Sequence, residues 1–348
     1  MLYKSIDLFA GIGGIRLGFE QAFCDSIKTV FVSEIDRKAQ ETYKANFGKN
    51  CDIHGDITTI SETDIPKHDI LLAGFPCQSF SLAGKRKGFE DARGTLFFDV
   101  ARIAKYHKPK VIFAENVKNL LNHDKGKTFA VIKRILAELG YVVFYKVLNS
   151  KNFGVPQNRE RIYIVAFRND IAPDNFVFPD KTDDTKVISD ILEEKEVSPK
   201  YYLSETYLES LKRHKKRHEE KGHGFGYEIR SNDSVAGAIV CGGMGRERNL
   251  IIDKRLTDFK PVTHIKGQIN KEYIRKMTPR EWSRLQGFPD DFSFVVADTH
   301  LYKQFGNSVT VPVIKAIAER IKEYLEDKNI ENKYSSKRHY TQLEFNMR

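Results

Sequence analysis

The sequence has no apolar run approaching the ~20 residues that a membrane-spanning helix requires. Its N-terminus, "MLYKSIDLFAG", carries one lysine and then an acidic residue inside the apolar stretch, which makes a poor secretory signal. A cytosolic location is the expectation. Cysteine is scarce. Cys24, Cys51, Cys77 and Cys241 stand far apart, and no pair has C-x-x-C spacing. No zinc pattern appears. A cytosolic chain of 348 residues buries a core without disulfides. There is no internal repeat.

At roughly 100–200 residues per domain, the length suggests about two domains, or one large domain with an insertion. Hydrophobic residues make up 41%, which places the chain among globular proteins. The formal net charge of +10 favours a polyanionic partner, nucleic acid first, although a soluble basic enzyme without one has the same balance.

Residues 5–10, 29–36, 69–75 and 110–116 read as apolar strands, and 95–108 and 127–140 as helices. Two more strand-like runs, "YVVFYKVLN" and "RIYIVAFR", follow. The alternation predicts an α/β fold, a mostly parallel sheet with helices on both faces. After Arg168 the texture turns polar and turn-rich, and the α/β pattern returns only near 273. The expected division is an α/β domain of 1–168 plus 272–325, an inserted module of 169–271 and a charged tail of 326–348.

"DLFAGIGGIRLGFE" reads as strand, glycine turn and helix, so Gly11 and Gly13 let a ligand approach the backbone at a helix N-terminus. Arg16 stands where a dinucleotide fingerprint needs its third glycine. A tight connection alone would look the same. Glu34 and Asp56 fall at later strand ends, where acidic side chains bind the hydroxyls of a nucleoside. An adenosine-containing ligand is therefore expected. In "GFPCQSF" the strand leads into Cys77 at the ligand side of the sheet, a place for a nucleophile as well as for a small buried hydrophobe. Glu115 in "AENV" should reach the same rim and supply acid assistance. Arg159 and Arg161 in "QNRERIYIVAF" occupy alternate positions, so both are expected to aim at one anion or carbonyl. Surface ion pairing is the plainer account of each.

Six blocks occur in order: "FAGIGG", "GFPCQSFSLAGKRKGFEDARGTLFFD", "ENVKNL", "FGVPQNRERIYIVAF", "MTPREWSRLQGFPD" and "QFGNSV". With them the chain resembles the bacterial DNA cytosine-5 methyltransferases of restriction–modification systems, over about 1–168 and 272–325. The resemblance implies a Rossmann-like domain that uses S-adenosylmethionine, with a smaller, irregular target-recognition domain. It implies that Cys77 attacks C6 of a flipped-out cytosine, that Glu115 protonates N3, and that Arg161 helps bind the base, with Arg159 beside it. It assigns cofactor contacts to Phe9, Gly11, Gly13, Glu34, Ile35, Asp56, Ile57, Pro76, Leu96, Asn307 and Ser308. Lys85 and Arg93, in a glycine-flanked basic loop, would touch DNA phosphates. Double-stranded DNA is the implied partner of a monomer, and a cognate restriction endonuclease is implied only by a shared site.

The insert matches that family least, since "SVAGAIVCGG" lacks the Thr-Leu pair often found there. Arg246 and Arg248 in "CGGMGRERN" are the expected base-reading or phosphate-binding residues. His214, His218 and His223 have no cysteine or acidic cluster around them, so a solvated basic helix is expected rather than a metal site. Three other readings remain open from sequence: an RNA cytosine methyltransferase, a nicotinamide-dependent oxidoreductase and a non-catalytic DNA-binding module.

Overall fold

The computed structural model describes residues 2–48, 51–76, 95–224, 226–242, 245–257, 260 and 267–326. Strands β1 (Tyr3–Leu8), β2 (Ile27–Ser33), β3 (Ile53–His54), β4 (Ile70–Ala73) and β5 (Val111–Val117) alternate with helices α1 (Gly14–Phe23), α2 (Arg37–Phe47) and α3 (Leu96–His107). Helix α4 (Lys127–Glu138) leads to β6 (Tyr141–Asn149), β7 (Gln157–Asn158) and β8 (Glu160–Arg168). Seven strands form one sheet in the order β3-β2-β1-β4-β5-β8-β6. The pairs from β3 to β5 are parallel, whereas β8 runs antiparallel to both β5 and β6.

Strand β4, "ILLA", is buried along its whole length, as expected of a strand covered on both faces. Its side chains alternate between two cores. Leu71 and Ala73 meet Phe97, Val100, Ile103, Ile132 and Ile135 of α3 and α4. Ile70 and Leu72 meet Ile15 and Phe19 of α1, and Ile314 and Ile317 of the last helix, on the opposite face. Each such side chain contributes roughly 1.5–3 kcal/mol by burial. Local chemistry sets the helix limits. Asp36 caps α2 by accepting from the amides of Lys38 and Ala39. Gly140, at φ +86°, turns the chain out of α4.

The later elements are α5 (Glu205–Glu219), β9 (Ala236–Gly237), β10 (Leu250–Ile252), β11 (Ile274–Lys276), α6 (Pro279–Leu285), α7 (Asp298–Asn307) and α8 (Val311–Glu326). Strand β9 pairs with β7, and β10 pairs with β11 across the expected boundary at 271/272. Phe176 and Phe178 pack into the core beside α8. Close approach fixes α1 against α8, because a Cβ on Gly18 would lie 2.6 Å from Ile314 Cβ. Among the described residues, no helix is long and apolar enough to cross a membrane.

Candidate active site

Parallel pairing puts the carboxyl ends of β1, β2, β4 and β5 on one rim, where open α/β sheets bind ligands. Strand β8 reaches that rim with its amino end instead. Val117 therefore faces Arg161 in the register, and Glu115 faces Tyr163. This reversal brings an arginine to the end of a strand that carries a carboxylate.

Arg161 Nε lies 3.3 Å from Glu115 Oε1, and both side chains are largely enclosed. Burial pushes the Glu115 carboxyl above its ordinary range, opposed by the charges of Arg161 and Arg159. The neighbouring Asn116 donates from Nδ2 to the Phe75 carbonyl at 2.8 Å. Asn116 thus ties the end of β5 to the end of β4, one residue before Pro76. No local pattern singles out Asn116, because its bond spans 41 positions. Cys77, Lys85 and Arg93 lie outside the described residues.

The expected common aim of Arg159 and Arg161 is not what the structure has. Arg159 is buried, and its guanidinium donates to the carbonyls of Ile239 at 2.7 Å, Ser308 at 2.7 Å and Gly306 at 3.4 Å. It precedes β8 rather than lying in it, so strand alternation does not govern its direction. Burial and the like charge of Arg161 lower its pKa to about 10. Gln157 extends the same seam, accepting from the Ile239 amide at 3.0 Å and donating to the Leu285 carbonyl at 2.8 Å.

The residues expected around a cofactor occupy the rest of the rim. Phe9, Gly11 and Gly13 all have left-handed backbone, at φ +56°, +56° and +83°. For Phe9 that conformation costs of order 1–3 kcal/mol. A Cβ on Gly11 would meet nothing within 4 Å, so its backbone is open to approach, whereas one on Gly13 would lie 2.2 Å from the Phe47 ring. The two glycines therefore serve different ends, one access and one packing. Glu34 accepts from the amides of Gly11 and Asp36, each at 2.7 Å, which fixes its carboxylate beside the glycine turn. Ile35 is 70% exposed, an apolar face at the rim. Asp56 caps the turn that starts at Ile57. Leu96 opens α3. Asn307 and Ser308 end α7, and a Cβ on Gly14 would lie 2.8 Å from Ser308 Oγ.

The structure adds a neighbour that no local pattern signals. Cys241, from the insert, donates from Sγ to Asn307 Oδ1 at 2.6 Å across 66 positions. Arg246 and Arg248 lie on a single helical turn, Gly245–Asn249, with Arg246 over the Tyr302 ring at 5.4 Å. His214, His218 and His223 follow one another along and beyond α5, with neighbouring rings 4.5 and 6.4 Å apart. Among the described residues no group of His, Cys, Asp or Glu is arranged to hold a metal.

The profile of the C-5 cytosine-specific DNA methylase family matches residues 3–323. The chain is 58% identical over 329 residues to the Type II methyltransferase M.HpaII of Haemophilus parainfluenzae, covering 93% of this chain and 90% of that one. It is 50% identical to the Type II methyltransferase M.SsoII of Shigella sonnei, over 92% of this chain and 80% of that one. Among solved structures, the Dnmt2 methyltransferase of S. pombe superposes with a TM-score of 0.71 at 22% identity, covering 93% of this chain and all of that one. That likeness speaks for the fold.

Proposed function

The chain belongs to the C-5 cytosine-specific DNA methylase family, and we propose that it methylates C5 of a cytosine in DNA through transient attack of the Cys77 thiolate on C6 of the ring. S-adenosylmethionine is the cofactor and supplies an electrophilic methyl group. The rim suits it. The Gly11 backbone is open, Ile35 offers an apolar face, and Asp56 and Glu34 offer carboxylate oxygens to a nucleoside. Glu34 already accepts two amides and keeps further lone pairs for hydroxyls.

The target carbon is out of reach inside a duplex, so the cytosine must flip out, at a cost of a few kcal/mol. The Cys77 sulfur then bonds to C6. Electrons of the C5–C6 double bond move toward N3, where Glu115 delivers a proton. C5 is now nucleophilic enough to accept a methyl group. Loss of the C5 proton to a base and expulsion of the thiolate restore the ring. Arg161 holds the Glu115 carboxylate and faces the base. The Glu115–Arg161 pair, beside a strand end fixed by Asn116, is the observation that carries this reading.

Residues 169–271 are the proposed target-recognition domain, with Arg246 and Arg248 at the DNA, and Lys85 and Arg93 on phosphates. The likeness to Type II methyltransferases supports modification of DNA, and the same reading has a monomer modify one short sequence and so protect it from an endonuclease that shares the site. The test is a duplex carrying 5-fluorocytosine at the methylated position. Fluorine cannot leave as a proton, so the wild type should form a covalent adduct and Cys77→Ser should form none while still binding cofactor. An active wild type that forms no adduct, or an adduct in Cys77→Ser, overturns the assignment.

A further inference from the structure

A cleft of about 600 Å³ opens beside the turn that Asp56 caps. One wall is the segment Thr58–Glu62, and the other is the start of α3, with Leu96, Asp99 and Arg102. Of the cofactor contacts proposed above, Leu96 lies on one wall and Asp56 caps the turn that runs into the other, and the two walls are separate in sequence. Something must set their spacing, and one side chain touches both.

Arg102 projects from α3 with its side chain 13% exposed. Its Nη2 donates to the Ile57 carbonyl at 2.7 Å, and its Nη1 donates to Glu62 Oε2 at 2.8 Å. Its Nε donates to Asp99 Oδ1 at 2.9 Å, which fixes the guanidinium plane from within its own helix. The planar fork holds three acceptors from both walls at once, a geometry an ammonium group cannot copy. His107, one helical turn further along α3, lies with Nε2 2.8 Å from the Glu62 carbonyl. Asp99 is buried, and burial together with the nearby Asp56 charge raises its pKa against the pull of Arg102. Two carboxylates, Asp99 and Glu62, therefore share one guanidinium here.

We propose that Arg102 is a positioning residue for the cofactor: it holds the Asp56–Ile57 turn at a fixed distance from Leu96 on α3, so that the adenosine end of S-adenosylmethionine meets both walls already in place. The inference rests on the cofactor reading above. Arg102 touches no reacting atom. Its loss removes hydrogen bonds to Ile57, Glu62 and Asp99, leaves Asp99 and Glu62 without their shared cation, and lets the walls separate. Binding then includes the work of closing them, which raises KM and leaves the chemical step of the bound complex intact.

The experiment compares Arg102→Gln, Arg102→Lys and Asp56→Ala with the wild type, reading cofactor KM, kcat at saturating cofactor, and the Kd of S-adenosylhomocysteine. Arg102→Gln should raise KM and that Kd together by about tenfold or more, with kcat changed by less than about twofold. Arg102→Lys should recover part of the loss, because it restores the charge but not the fork. Should Arg102→Gln not fold, Glu62→Gln, which weakens one arm of the same junction, should shift KM in the same direction by less. An unchanged KM in Arg102→Gln, or in Glu62→Gln where it stands in, overturns the proposal, as does a fall in kcat at constant KM. If Asp56→Ala raises KM and the Arg102 variants do not, the proposal fails and the cofactor reading stands. If neither raises it, both fail.

Discussion

In the proposed mechanism Glu115 is an acid when the ring accepts its proton and a carboxylate afterwards. Its surroundings suit both states. Enclosure favours the neutral form, and Arg161 at 3.3 Å keeps the ionised form from being prohibitive. The sign of the consequence follows from the direction of the shift. A carboxyl whose pKa is raised keeps its proton to a higher pH than a free glutamate, so an acid step slows only as pH climbs past that raised value. Glu115→Gln keeps a hydrogen-bonding amide but has no acidic proton to deliver. Its kcat should fall by roughly 10²–10⁴-fold, a typical contribution of a positioned acid. Affinity for DNA should change far less, and the limb of the kcat profile that declines with rising pH should vanish. Steady-state kinetics over a pH series, with DNA affinity measured in parallel, decides it. A variant impaired in DNA binding but normal in turnover makes Glu115 a positioning group.

The turn Gly245–Asn249 is built to hold its shape. Gly245 sits so close to Val240 that a Cβ would lie 2.3 Å from the Val240 carbonyl oxygen. Glu247 is buried between Lys276 at 2.9 Å and the Tyr207 hydroxyl at 3.1 Å. Arg246 and Arg248 flank that anchored glutamate. If either reads a base edge, its alanine variant should lose about 1–3 kcal/mol on the cognate site and relax a single base-pair position. If it binds phosphate, all sequences should weaken alike and the salt dependence should flatten. Binding assays on the methylated site and each of its single-base variants separate the two, and wild-type affinity and preference in both variants would place recognition elsewhere. Much of the sheet was legible beforehand, because buried parallel strands are apolar runs, and Glu34 and Glu115 stand where two of those runs stop, whereas Asp56 follows only the two-residue strand β3. The direction of β8 was not legible, since a buried strand reads the same either way. The two- and three-residue strands β7, β9, β10 and β11 are too short to show a period. The partners of Asn116, Arg102 and Cys241 depend on contacts that only the folded chain creates.

The insert does not stand apart from the rest of the molecule. Ile188, Ile191, Ala236, Ile239 and Ile251 share one core with Ile12, Ala39, Trp282, Leu301 and Phe305. Arg159 and Gln157 stitch Ile239 to Leu285, Gly306 and Ser308 beneath it. Further out, Arg275 is 0% exposed and donates to both oxygens of Glu281 at 2.7 Å and to Asp253 at 2.8 Å, joining β11 to the start of α6. A shared core and a continuous polar seam make separate unfolding of the insert costly, because it would strand buried donors and acceptors. Trp282 is the chain's single tryptophan and lies in that shared core, packed edge-on against Tyr302. Its fluorescence therefore reports the junction, while far-UV circular dichroism reports the whole chain. In urea the two signals should share one midpoint. Arg275→Met leaves Glu281 and Asp253 without their common cation and should cost about 3–5 kcal/mol. If the junction belongs to one cooperative unit, that loss should lower both midpoints together. A fluorescence transition that moves to lower urea while the dichroism midpoint stays in place would show instead that the insert and the sheet unfold as separate units.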